Sequence, residues 1–182
     1  MPIKMLRRTL LILGLALPLA AAEAPADLAG RVRAAELALT EGQSRYGESN
    51  PKLADLRLRL EEWRRLAAQP AGEPLALLEA RVELAVLRSR YLEKNPRLVE
   101  QNARIAAMER ELAAEPDTPA VMLEAVGDLA AMRDRYSERH PRYLDQKRKV
   151  DALRAQLWAP GAEPREVRLA RAARDYYATR YG

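Results

Sequence analysis

The residues best equipped for chemistry recur in one phrase. Arg45-Tyr46 is followed by Asn50-Pro51, Arg90-Tyr91 by Asn95-Pro96, and Arg135-Tyr136 by His140-Pro141, at intervals of 45 residues. A further interval lands on Arg180-Tyr181. A guanidinium beside a phenol offers a fork of N–H donors, a flat cation and an aromatic face, which suit carboxylates and other planar acceptors. Repeated in register, such pairs would line one edge of the molecule and grip an extended protein partner, a glycan or an acidic peptide. A purely structural reading stands beside this one. Each tyrosine ends an apolar stripe, where its ring can pack and its hydroxyl can reach water. Arg45 with Glu48, Arg90 with Glu93 and Arg135 with Glu138 have the i, i+3 spacing of ordinary surface ion pairs.

No catalytic set accompanies the phrase. His140 is the only histidine and occupies the place held by Asn50 and Asn95, which marks it as a capping variant. There is no cysteine, so thiol chemistry, disulfides and cysteine-ligated zinc are excluded. No carboxylate pair stands apart as acid and base, and no Gly-rich phosphate loop is present. The arginines between Arg57 and Arg65 alternate with Glu61 and Glu62, which argues against a groove that tracks nucleic-acid phosphates. The sequence thus predicts no enzyme, no metal, no cofactor and no nucleic-acid partner.

The elements that carry the phrase read as helices. Ala, Leu, Glu, Arg and Gln dominate, and strand-like alternation is absent. Pro70 with Pro74, Pro116 with Pro119 and Pro160 with Pro164 punctuate the chain, because proline lacks an amide hydrogen and clashes inside a helix. Repeats therefore run over about residues 30–74, 75–119 and 120–164, with a half-repeat at 165–182. Within each, one stripe precedes the phrase (Val32, Ala35, Leu39, Gly42, Tyr46; Leu77, Ala80, Leu84, Leu87, Tyr91; Met122, Ala125, Leu129, Met132, Tyr136). A second follows it: Leu53, Leu56, Leu60 and Trp63 in the first repeat, Leu98, Ile105, Met108 and Leu112 in the second, and Tyr143, Val150, Leu153 and Leu157 in the third. Asn-Pro is a strong helix start. Asp55, Glu100 and Asp145 are expected near the first turn, opposing the helix dipole. The expected fold is all-α, built of tandem helical hairpins. The alternative is a bundle of long helices kinked at Asn/His-Pro, suggested by the heptad series Leu77, Leu84, Tyr91, Leu98, Ile105, Leu112.

Residues 1–22 read as a signal peptide. Lys4, Arg7 and Arg8 precede the apolar run Leu10 to Leu19, and Ala20 and Ala22 supply a cleavage site. The run falls short of the roughly 20 residues that span a bilayer. Cleavage near Ala22 implies a periplasmic or secreted protein; the alternative is an N-terminal membrane anchor. The segment carries three positive charges and no acid, so its removal takes the net charge from +5 to +2. Residues 23–182 then form a single all-α repeat domain with a core of Leu, Ala and Val, since Phe is absent. The tail holds Tyr176, Tyr177 and Tyr181, either as part of a capping helix or as an exposed aromatic docking surface.

The Tyr136 to Pro141 phrase, followed by Tyr143, Val150, Leu153 and Leu157, resembles a segment in the periplasmic coiled coils of polysaccharide chain-length determinant proteins. The Asn-Pro versions at positions 50 and 95 resemble it more loosely. The His-Pro helix start is similar to one in kinesin-light-chain-type tetratricopeptide repeats, which implies a hairpin array. The expected function is that of an exported, non-enzymatic scaffold or protein-binding module of the cell envelope, with self-association through the helix stripes as a further expectation. The alternatives are an accessory factor in envelope polysaccharide or cell-wall assembly, and an enzyme or carrier with an unrecognised site.

Overall fold

The computed structural model describes residues 27–69, 72–158 and 163–181. The expected signal segment, Pro70, Pro160 and the side chains of Arg180 and Tyr181 lie outside the described residues. The described residues form seven helices: α1 (Leu28–Arg45), α2 (Pro51–Ala67), α3 (Leu75–Arg90), α4 (Pro96–Ala114), α5 (Ala120–Arg135), α6 (Pro141–Trp158) and α7 (Arg165–Tyr181). No strand occurs among them.

The chain reverses at each Tyr-to-Pro segment, so the fold is an all-α succession of hairpins and not a set of long kinked helices. The reversal is local. Tyr46, Tyr91 and Tyr136 leave the helix in extended backbone, near φ −122° to −126°. Asn50 and Asn95 are extended as well, as a residue before proline must be. Their side-chain oxygens accept from the amides of Lys52 at 2.9 Å and Arg97 at 3.0 Å. His140 Nδ1 accepts from the Arg142 amide at 3.2 Å, so the imidazole takes over the asparagine's capping role. The heptad series that suggested a continuous helix has another cause. Leu77 and Leu84 of α3, with Tyr91 just past its end, face Leu98, Ile105 and Leu112 of α4 in one core cluster. The stripes keep phase across the turn because both look into the same core.

The opposite turns use proline alone. Pro74 and Pro119 precede α3 and α5 in extended backbone without a side-chain cap. At the start of α1, Asp27 supplies the cap, accepting from the Gly30 amide at 2.8 Å.

The helices form two layers. α3 packs on α5 and α5 on α7, while Arg31 of α1 pairs with Glu79 of α3. α2, α4 and α6 lie on the other side, each between two members of the first layer. Three apolar clusters hold the stack, and each includes the first helix of the following repeat. Ala35, Leu60, Trp63 and Leu66 are closed by Leu78 and Val82 of α3. Leu77, Leu84, Ile105 and Met108 are closed by Leu123 of α5. Met122, Ala125, Val150 and Leu157 are closed by Ala172 and Tyr176 of α7. Burying one Val or Leu contributes about 1.5–3 kcal/mol, so Leu78, Val82 and Leu123 bind the repeats together substantially. A single stripe per helix did not show this second face, because α3 and α5 are apolar on two sides.

Polar bonds repeat with the same register. Gln101 Nε2 donates to the Ala80 carbonyl at 2.7 Å, and Gln146 to the Ala125 carbonyl at 3.1 Å, both buried. Arg59 pairs with Glu83 and Arg104 with Asp128, each at 2.7 Å. One bridge is preserved with its signs exchanged. Arg64 pairs with Glu36 at 2.8 Å, and one repeat later Glu109 pairs with Arg81 at 2.9 Å. What recurs at these positions is charge complementarity, not residue identity.

Candidate functional site

The repeated phrase is first of all a joint. Its helix ends at the arginine, so the expected i, i+3 pairs with Glu48, Glu93 and Glu138 do not form. Arg90 reaches back to Asp55 of α2, and Arg135 makes a two-pronged contact with Glu100 of α4 at 3.0 and 2.7 Å. Asp55 and Glu100 are only 14% and 20% exposed at the side chain. They lie beyond the first turns of their helices, which contain no acid, so they answer an arginine and not the dipole. Asp145 likewise lies past the first turn of α6 and pairs with Arg148 at 2.5 Å. Arg45 pairs with Glu41 in its own helix. Glu138 stands 3.9 Å from Arg133.

The tyrosines are half-buried. Tyr91 packs against the core of its repeat. Its hydroxyl accepts from Arg97 Nη1 at 3.0 Å, and that guanidinium lies 5.6 Å from the ring centre. In the third repeat Arg142 Nη1 donates to the Tyr136 hydroxyl at 3.2 Å, and His140 stacks on the ring at 4.2 Å. In the first, Lys52 sits 5.1 Å above the Tyr46 ring. Hydrogen bonds from Arg142 and then from Arg135 hold the Tyr136 phenol below the usual tyrosine range. The residue after each proline (Lys52, Arg97, Arg142) is the cation that meets the tyrosine, a partnership the linear phrase did not reveal. Pro51, Pro96 and Pro141 open α2, α4 and α6.

In the tail, α7 is a docked helix. Tyr176 is buried, and its hydroxyl donates to Asp128 Oδ2 at 3.1 Å. Tyr177 is half-buried and donates to Glu124 Oε1 at 2.9 Å. These two rings therefore do not form an exposed docking surface.

A groove missed by motif reading opens between α3 and α5, with α4 as its floor and α7 at one end. Its volume is about 400 Å³, and it is open to solvent. Glu79, Glu83, Glu124 and Asp128 line the walls, against the single guanidinium of Arg104, and Ala76, Ala80, Met108, Gln101 and Tyr177 complete it. Glu79 and Glu124 occupy equivalent positions of successive repeats, as do Glu83 and Asp128. The signal for these residues was present in the 45-residue register, but only the splay of α3 and α5 puts them around one space. Gly127 allows the close approach of α4 there. A Cβ at that position would come within 2.7 Å of Arg104 Cγ and 2.9 Å of Met108 Cε.

Among the described residues, no group of three or more His, Asp or Glu side chains is arranged to hold a metal ion, and no helix is long and apolar enough to cross a membrane. Comparison with protein-family models, curated proteins and solved structures finds no match.

Proposed function

We propose that this chain is an exported, non-enzymatic helical-repeat protein that serves as a scaffold or protein-binding module in the cell envelope, holding a basic segment of a protein partner in the groove between α3 and α5. The observation that carries the reading is the groove's lining, where the carboxylates of Glu79, Glu83, Glu124 and Asp128 converge beside Ala76, Ala80 and Met108, with Arg31, Arg59 and Arg104 pairing three of them. Its polar groups are already engaged in structural bonds. Asp128 meets Arg104 and Tyr176, Glu79 meets Arg31, Glu83 meets Arg59, Glu124 meets Tyr177, and Gln101 bonds the Ala80 carbonyl. Such groups hold a shape and present carboxylate oxygens to the groove. Stacked repeats commonly offer an extended surface of this kind. Lys or Arg side chains of a partner would add charge-assisted hydrogen bonds to carboxylates held half out of water.

The test is affinity capture from envelope extracts with the wild type and with the Glu79→Gln, Glu124→Gln double variant. A partner bound by the wild type and released by the variant, with helix content and melting temperature unchanged, supports the groove. Undiminished capture by the variant overturns it.

A further inference from the structure

A second surface, independent of the groove, lies along the edge where the three Tyr-to-Pro turns meet. Contacts from Arg90 to Asp55 and from Arg135 to Glu100 hold successive turns side by side. Each following helix begins with a proline and then a cation, Lys52, Arg97 or Arg142, and none has an acid in its first turn. A cation there faces the positive end of the helix dipole and is disfavoured by it. The arrangement nevertheless recurs three times, with each cation resting on a tyrosine. Lys94 and Arg139 of the turns add two more charges. None of these five cations forms an ion pair with a described carboxylate. Glu48, Glu93 and Glu138 are the acids that accompany them on the same turns, and Glu138 stands 3.9 Å from Arg133.

The edge is also apolar in places. Leu92, in the second turn, is 87% exposed, and Val99 and Leu144, equivalent residues one turn into α4 and α6, are 44% and 41% exposed. They are three of five large apolar side chains exposed among the described residues. The half-exposed rings of Tyr46, Tyr91 and Tyr136 stand among them.

We propose that this edge docks on an anionic phospholipid surface, with Lys52, Lys94, Arg97, Arg139 and Arg142 at the headgroups and Leu92, Val99 and Leu144 entering the acyl boundary. A soluble polyanion would account for the cations but would leave the aliphatic side chains in water. A bilayer interface takes both, with tyrosine at the depth where an amphipathic ring is favoured. Clustered Lys and Arg are drawn to anionic lipid by the surface potential, which decays within a Debye length.

The test is co-sedimentation of the full chain with phosphatidylcholine vesicles, with and without phosphatidylglycerol. Two variants are compared with the wild type: Lys52→Gln, Arg97→Gln, Arg142→Gln, and Leu92→Ser, Val99→Ser, Leu144→Ser. Any contribution from the apolar run Leu10 to Leu19 is common to all three proteins, so differences report on the edge. The expected result is salt-sensitive binding to phosphatidylglycerol vesicles, weakened roughly tenfold or more in each variant. Circular dichroism checks folding, and Leu92→Ser alone replaces the aliphatic variant if that one loses helix content. Equal binding by all three proteins, or no binding to anionic vesicles, overturns the proposal. So does capture of dextran sulfate that the aliphatic substitutions leave untouched while vesicle binding falls only in the cation variant, which would assign the edge to a soluble polyanion. Neither result bears on the groove, whose carboxylates lie outside both variants.

Discussion

At the scale of single residues, the buried Gln101 shows what the repeat tolerates. Its amide gives the Ala80 carbonyl a hydrogen bond at 2.7 Å, in addition to that carbonyl's place in the helix ladder. The equivalent residue of the first repeat is Leu56, so the position accepts an apolar side chain of similar size. Gln101→Leu is expected to cost about 1 kcal/mol or less in urea unfolding, the net value of one bond. Gln101→Ala also leaves a cavity, and should cost about 2–3 kcal/mol. Equal losses in the two variants would mean that the bond, and not the volume, dominates. Tyr136 offers a second measurement. Its phenol is held low by Arg142 and Arg135, so an ultraviolet titration should place it below free tyrosine, and Arg142→Ala should raise it. A depressed folded-state value adds stability only as the phenolate forms. The effect is therefore absent at neutral pH, emerges on the alkaline side, and is lost as pH falls through the folded value. Of this joint, the cap was legible in the sequence, because Asn-Pro is a local signal. The partners Asp55 and Glu100 were not, since they lie on a helix of the preceding repeat.

At the scale of helices, two glycines mark close approaches that run against helix propensity. Gly42 sits near the end of α1, where its stripe reads as weakest. A Cβ there would meet Leu56 Cδ1 at 2.6 Å and Leu53 Cδ2 at 3.2 Å. The glycine lets α1 and α2 come together, and that contact offsets the roughly 1 kcal/mol it costs the helix. Gly42→Ala should be near neutral, because the gain in propensity is set against displacement of a flexible leucine end. Gly42→Leu should lose about 1–3 kcal/mol through overpacking. Thermal melts of both variants would check this ordering, and a stable Gly42→Leu protein would show that the two helices can separate freely. The two-sided burial of α3 and α5 belongs to the same scale. Leu78 and Val82 face one core while Leu77 and Leu84 face the next. A helix with two buried faces loses the clean amphipathic contrast from which orientation is read.

At the scale of the whole molecule, stability follows a line of neighbours. Each cluster joins one hairpin to the first helix of the next, so the array needs a final helix to close it. Removing residues 165–182 would uncover Met122, Ala125 and Val150, which Ala172 and Tyr176 now cover. The shortened protein should melt at a lower temperature and self-associate, as seen in light scattering. Tyr176→Phe, which removes the hydroxyl's bond to Asp128 and keeps the ring, should cost about 1 kcal/mol and leave the protein monodisperse if the intact chain is so. A truncated chain that stays as stable as the intact one would show that α7 is an appendage and not a cap.

The sequence by itself determined the helical class, the helix starts at Asn/His-Pro, the stripe along each helix and the 45-residue register. All of these follow from interactions within a few residues: caps, proline geometry and helical periodicity. The reversal of the chain at each Asn/His-Pro, against a continuous kinked helix, was left to the structure. The tertiary structure decided which arginine meets which carboxylate, why glycine is needed at two helix contacts, and how equivalent acids on α3 and α5 come to surround one groove. It also decided that the Arg-Tyr phrase is anchored through its arginine and exposed through the cation that follows its proline. Those outcomes depend on the stagger between successive repeats, which is set by the combined packing of three helices at a time. No single segment carries that information.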